Sequence, residues 1–291
     1  MSLQPISEIQ GVKFFDNPSA CVSHFENTHC IKKAISLIQS FGTLLAHALN
    51  KISLVLHRVD AQMDPLTHVN TEILSKKRLV VCIHGLNSNP SQFKKIVDEM
   101  QKKELSETGI FIPRVLQKGN AKLDEMVQPI FEEISKWAKT PGEKELVLVG
   151  ISNGGRISRA IEAKLAKSES NTNIKKLRFV SIVGACKGSS LVNLANKVGL
   201  SGLMSKNISE EMPKNSKRNK QLNQDWMDGL LNGPTREYTF IASPHDWQVT
   251  NYDSSLMEVN VQNSRYAIIP GHGHNSIVNA ITKTVVEIIL T

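Results

Sequence analysis

Leu146-Val147-Leu148-Val149-Gly150-Ile151-Ser152-Asn153-Gly154-Gly155-Arg156-Ile157-Ser158-Arg159-Ala160-Ile161 is the stretch of this 291-residue chain from which the fold can be read. Its first four residues are an unbroken apolar run of the kind buried on both faces of a mostly parallel sheet. Gly150 to Gly154 then match G-x-S-x-G, and Ile157, Ala160 and Ile161 recur at helical spacing. A strand that becomes a helix within so few residues forces the residue at the bend into a strained conformation. Glycines on either side remove the Cβ atoms that would collide there. Ser152 is therefore pushed out over the sheet edge. A helix beginning at Asn153 aims unpaired N–H groups at the same spot, which suits a hydroxyl nucleophile whose reaction develops an oxyanion.

Outward from this stretch, residues 78–85 (Arg-Leu-Val-Val-Cys-Ile-His-Gly) read as a second buried strand that opens into a loop over 86–90. Helical spacing resumes through Phe93, Ile96, Val97 and Met100. A third apolar segment covers 109–116, and a helix follows over 121–139. Residues 177–185, 237–242 and 266–270 are further strand candidates, and a helix over 275–290 closes the chain. Strands alternating with helices imply right-handed crossovers and a parallel sheet. Between two of these strands lies an insert, 187–235, with apolar helical patches and a polar, basic tract at 214–223.

Ahead of the sheet, residues 1–30 read as an irregular lead-in. Residues 31–56 repeat apolar side chains every three or four positions, the signature of a long amphipathic helix. Its polar face holds Gln39, Ser40, Thr43, Asn50 and Lys51, which argues against a membrane span. Such a stripe packs on the protein's own core or docks on a membrane or partner. Residues 59–75 read as a linker. The expected division is an N-terminal extension over 1–75 and an α/β domain over 76–291.

The composition is that of a soluble globular protein, with 40% hydrophobic and 21% charged residues. The formal charge is +8, carried largely by scattered lysine pairs, but with 5% aromatic residues there is little stacking material for single-stranded nucleic acid. No nucleic-acid partner is expected, and a basic surface fits an anionic membrane at least as well. Cys21, Cys30, Cys82 and Cys186 show neither C-x-x-C pairing nor metal-like spacing with histidine. The N-terminus lacks a basic region followed by an apolar core, so the expectation is a cytoplasmic protein with reduced thiols, or one exported without such a signal.

In an open α/β sheet the ligand lies beyond the carboxyl ends of the strands, so polar residues just after each strand matter most. They are His84-Gly85-Leu86, Ser152, His245-Asp246, and His272 or His274. Serine, then aspartate, then histidine along the chain suits acyl transfer: the imidazole takes the serine proton and the carboxylate holds one tautomer. Asp246 directly follows a strand, whereas Asp253, Asp225 and Asp228 lie in the following loop or the insert. Collecting His245, Asp246, His272 and His274 into a metal site would leave the G-x-S-x-G bend unexplained.

With these residues in place the chain resembles the α/β-hydrolases, and among them the serine lipases and esterases. The resemblance runs from Arg78 to the C-terminus and rests on His84-Gly85-Leu86, Gly150 to Gly155, Gly184-Ala185-Cys186-Lys187-Gly188-Ser189-Ser190-Leu191, His245-Asp246-Trp247-Gln248-Val249 and Gly271-His272-Gly273-His274-Asn275-Ser276-Ile277. It implies a mostly parallel central sheet with helices on both faces and a helical lid over 187–235. Ser152 is then the nucleophile, Asp246 the acid and His274, in preference to His272, the base. The oxyanion donors are the backbone N–H groups of Leu86 and Asn153, although Asn153 departs from the residues commonest there. His84 belongs to a loop-shaping dipeptide and, with Gly85 and Ile151, is assigned to the substrate pocket. The mechanism needs no cofactor and no metal.

The function so implied is hydrolysis of carboxylic esters through an acyl-enzyme, as a lipase or phospholipase, with a small soluble ester as the competing substrate class. A mobile apolar lid suits a lipid ester, and Lys206, Lys214, Lys217, Arg218 and Lys220 could meet an anionic membrane surface. The alternative is an inactive hydrolase-fold protein that binds a membrane or a partner.

Overall fold

The computed structural model describes residues 5–28, 72–168, 173–230, 233–250, 252–259, 261 and 263–291. The amphipathic stripe at 31–56, residues 59–71 of the expected linker and Cys30 lie outside the described residues; the end of that linker, Ile73–Ser75, is a 3-10 turn with Ile73 buried. Eight strands occur among them: β1 (Ser7–Ile9), β2 (Val12–Phe14), β3 (Arg78–Ile83), β4 (Thr108–Phe111), β5 (Lys144–Ile151), β6 (Ile174–Ile182), β7 (Thr235–Ala242) and β8 (Ser264–Ile268). The helices used below are α1 (Pro18–Thr28), α2 (Lys94–Met100), α3 (Leu123–Ala138), α4 (Asn153–Ala166), α5 (Ser190–Lys197), α6 (Lys206–Glu211), α7 (Lys217–Gly229), α8 (Tyr252–Ser255), α9 (Ser276–Ala280) and α10 (Thr282–Leu290).

The six strands β3 to β8 form one parallel sheet in the order β4-β3-β5-β6-β7-β8. Alternation of side chains along β5 shows why its sequence is apolar without interruption. Leu146 and Leu148 enter one core layer with α3, α4 and α7; Val147, Val149 and Ile151 enter the other with α2, α9 and α10. Both faces are buried, so no polar position is left.

Three elements differ from the sequence reading. The third apolar segment, 109–116, is a strand only as far as Phe111, because Pro113 has no N–H to continue a ladder. The single helix expected over 275–290 is broken at Ile281 (φ −104, ψ 13), where Thr282 Oγ1 donates to Val278 O at 3.0 Å and competes with the helix's own bonding. The lead-in is ordered: β1 and β2 pair as an antiparallel hairpin, and Phe15 exchanges both backbone hydrogen bonds with Tyr266 of β8 at 2.9 Å. Residues 12–21 place Phe14, Phe15, Ala20 and Cys21 in the core, so this segment belongs to the sheet domain and covers its exposed edge.

The insert also divides differently. Helix α7, which holds most of the basic tract, is not a lid. It packs on α4 as a sheet-covering helix, with Leu222 and Trp226 buried. Only the first part of the insert, α5 and α6, stands near the carboxyl edge. Val192, Ile208 and Met212 cluster there with Ala185 and Val249, and Leu86 and Met204 pack against them.

Candidate active site

The bend at Ser152 is set by sterics. Ser152 has φ 56 and ψ −124, a conformation that costs a non-glycine residue about 1–3 kcal/mol. A Cβ on Gly150 would fall 2.5 Å from Gly155 N, and one on Gly154 would fall 1.9 Å from Ile83 O. Both motif glycines are thus required by the close passage of α4 across β5 and β3. Ser152 is 7% exposed. Its backbone is locked on both sides: its N–H donates to Ile182 O (3.1 Å), and its carbonyl accepts from Gly155 N (3.0 Å) and Ala185 N (2.9 Å).

Beside it, the loop after β3 supplies the peptide between Gly85 and Leu86. A Cβ on Gly85 would lie 2.9 Å from Ser152 Cβ and 3.4 Å from Ser152 Oγ, so only glycine lets the loop come this near. His84 sets the orientation of that peptide. Its Nε2 accepts from Val115 N–H (3.1 Å), which leaves the proton on Nδ1, and Nδ1 donates to Gly85 O (2.9 Å). Burial holds the His84 imidazole below its ordinary 6.5, consistent with a neutral ring.

The N–H groups around Ser152 are mostly taken. Gly85 N–H goes to Gln92 Oε1 (3.1 Å) and Asn87 N–H to Lys118 O (2.7 Å). Among the described residues no acceptor takes the N–H of Leu86 or of Asn153. These are the two donors that the sequence reading assigned to the oxyanion.

Asp246 and His274 are brought together by the loops after β7 and β8. His274 Nδ1 and Asp246 Oδ2 are 2.8 Å apart, both side chains being almost fully buried. Asp246 Oδ1 accepts from Gln248 N (2.8 Å) and Val249 N (3.0 Å), so each carboxylate oxygen is satisfied. Nδ1–H donated to Asp246 leaves Nε2 as the basic nitrogen. His272 is half-buried and contributes its backbone carbonyl, which accepts from Ser243 Oγ. The other aspartates are engaged elsewhere: Asp253 with Lys214, Asp225 with Lys167, Asp228 with Gln224. Ser152, Asp246 and His274 all follow carboxyl ends of strands in one parallel sheet, and so stand at one edge of it.

Two assigned pocket residues are placed differently. Ile151 is fully buried in the core layer with α2 and α10, and both ring nitrogens of His84 are used on backbone groups. Their side chains fix the site's frame and do not line it. Three supporting residues carry no local signal in the sequence. Gln92 holds Gly85 N–H, and Gly119 accepts from the Asn153 side chain. Ser243 joins the loop of Asp246 to that of His274. The sequence Lys118-Gly119-Asn120 marks a turn, but nothing in it shows that the turn returns to the elbow.

Known proteins resemble this chain over part of its sequence and in its fold. Residues 74–194 match the model of the family described as "Putative serine esterase (DUF676)". No curated protein matches the chain in sequence. The structure of Est1E from Butyrivibrio proteoclasticus is similar at a TM-score of 0.50 and 17% identity, over 74% of this chain and 88% of that one. The same protein with ferulic acid bound gives 0.50 and 16%, over 74% and 89%. At such identities the likeness speaks for the fold.

Proposed function

We propose that this α/β-hydrolase-fold protein is a serine hydrolase that cleaves carboxylic esters through an acyl-enzyme. The observation that carries the reading is the placement, beyond the carboxyl ends of strands in one parallel sheet, of a strained Ser152, two N–H groups without an acceptor among the described residues and a buried His274–Asp246 pair. Nε2 of His274 takes the Ser152 proton as Oγ attacks the ester carbonyl. Asp246 keeps the ring in the required tautomer and balances its charge, while Leu86 and Asn153 N–H receive the oxyanion. Collapse of the intermediate expels the alcohol, protonated by His274. Water, activated by the same histidine, then releases the acid.

For the substrate we favour a lipid ester, as in a lipase or phospholipase. The support is the apolar wall of Val192, Ile208, Met212 and Val249 packed beside the oxyanion residue Leu86. Contact with an anionic membrane is part of the same proposal, though the basic tract lends it less weight than its composition suggests. Lys214 and Arg218 are paired with Asp253 and Asp124, leaving Lys217 and Lys220 on the outer face of α7.

Ser152→Ala is expected to fold with an unchanged melting temperature and to lose ester hydrolysis by about 10⁴-fold or more. Fluorophosphonate should label the wild type at Ser152 and not the variant. A wild type that neither labels nor hydrolyses an ester series of increasing chain length would favour the binding-module alternative.

A further inference from the structure

The side chain next to the nucleophile is paired in an unusual way. Asn153 is fully buried, and its Nδ2 donates to Gly119 O at 3.2 Å, while its Oδ1 is buried with no hydrogen-bond partner. Turning the amide over would set Oδ1 against the Gly119 carbonyl, so the orientation is fixed by its one bond. Gly119 ends a turn in which Gln117, Lys118 and Gly119 all have positive φ (50, 53 and 87). That turn lies against the oxyanion loop. A Cβ on Gly119 would come within 3.2 Å of Leu86 Cα and 3.4 Å of Gly85 O, and Lys118 O accepts the N–H of Asn87, the residue after Leu86, at 2.7 Å.

Residues 117–119 thus form a strap with one end on the Leu86 loop and the other on the first residue of α4. Its anchors are the N–H of Asn87, the residue after Leu86, and the side chain of Asn153, so it spans the two residues, Leu86 and Asn153, whose backbone N–H groups find no acceptor among the described residues. An orphaned buried acceptor lowers stability, and an apolar side chain of similar size would remove it. Asparagine gives the site something that leucine cannot: an N–H that reaches across to Gly119.

We propose that the Asn153 side chain is a positioning residue, which through Gly119 fixes the separation between the Leu86 and Asn153 N–H groups and so tunes the fit of the hole to the tetrahedral oxyanion. The inference rests on the ester-hydrolase reading above. In Asn153→Leu both backbone donors remain and only the tether is lost.

The test is steady-state hydrolysis of a chromogenic ester, inhibition by a trifluoromethyl ketone that forms a tetrahedral adduct, and thermal melting, for wild type, Asn153→Leu and Asn153→Ala. The expected result is a kcat lowered by about tenfold to hundredfold at unchanged KM. The inhibition constant should rise by the same factor, while the melting temperature of Asn153→Leu should stay within a few degrees of the wild type, because the variant exchanges an orphaned Oδ1 for a Gly119 carbonyl that has lost its donor. A merely structural role would lower the melting temperature and leave kcat per folded molecule alone; that outcome, or a kcat within twofold of wild type, overturns the proposal. A wild type that neither hydrolyses the ester nor takes up fluorophosphonate overturns the hydrolase reading and this inference with it. If leucine fails to pack, Asn153→Ala decides between the same outcomes.

Discussion

His84 has a role that depends on its being neutral. Protonating Nε2 would abolish its bond from Val115 N–H and put a charge into a buried site. Its folded pKa lies below the ordinary 6.5, so the unfolded chain binds a proton that the native protein refuses. Stability is therefore fully present above that value and declines as pH falls below it toward the folded pKa. In His84→Gln the loss of unfolding free energy between about pH 7.5 and about pH 5 should be smaller than in the wild type. Parallel denaturant titrations measure it, and equal slopes would show that another group governs the acid limb. At this scale the elbow was legible in the sequence because its glycines answer to clashes with residues close by along α4 and in the adjacent strand. Gln92 and Ser243 were not legible, since a polar residue in a loop announces nothing about a partner in a distant segment.

Among the elements, the α4–α7 contact is the one the sequence hid most completely. A helix that covers a sheet normally shows an apolar stripe, but this contact is largely polar. Arg156 Nε donates to Asn219 Oδ1 (2.6 Å), and Arg159 donates to Asn223 Oδ1 (3.0 Å) with its guanidinium 4.7 Å above the Trp226 ring. Trp226 Nε1 donates to Glu162 Oε2 (2.7 Å), and Tyr238 OH (2.5 Å) and Arg236 Nε (3.0 Å) donate to Oε1. Burial pushes the Glu162 carboxyl up despite these donors, a sign of how dry the contact is. Read one residue at a time, α7 is a basic surface tract; its partners were needed to show otherwise. Trp226→Phe keeps an aromatic ring but strips Oε2 of its donor, and should cost about 1–3 kcal/mol. Met227→Ala, on the exposed side of the same helix, should stay within about 0.5 kcal/mol. Urea unfolding compares the two, and equal effects would mean that the network contributes nothing beyond packing.

For the molecule as a whole, the alternation of strands and helices gave the parallel sheet, since apolar runs at helix-separated intervals have few other solutions. The boundary near residue 75 does not describe how the protein holds together. Phe14 and Phe15 reach the two core layers on opposite faces of the sheet, and Phe15 caps the free edge of β8. Strands of three residues, Ser-Glu-Ile and Val-Lys-Phe, are too short to show a periodicity, which is why the lead-in read as irregular. Removing residues 1–28 should lower the melting temperature markedly and expose the β8 edge to self-association. Thermal melts and size-exclusion chromatography report both, and an equally stable, monodisperse truncated protein would show the segment to be dispensable.

The C-terminal helix carries one practical corollary. Arg78, at the start of β3, donates to Leu290 O at 3.1 Å, and Arg178 reaches Ile288 O at 3.1 Å. Thr291 is thereby held toward the amino ends of the strands, at the opposite end of the sheet from Ser152. A protein coupled to a bead or sensor chip through Thr291 would turn the Ser152 end of the sheet to the bulk liquid, open to whatever is passed over it.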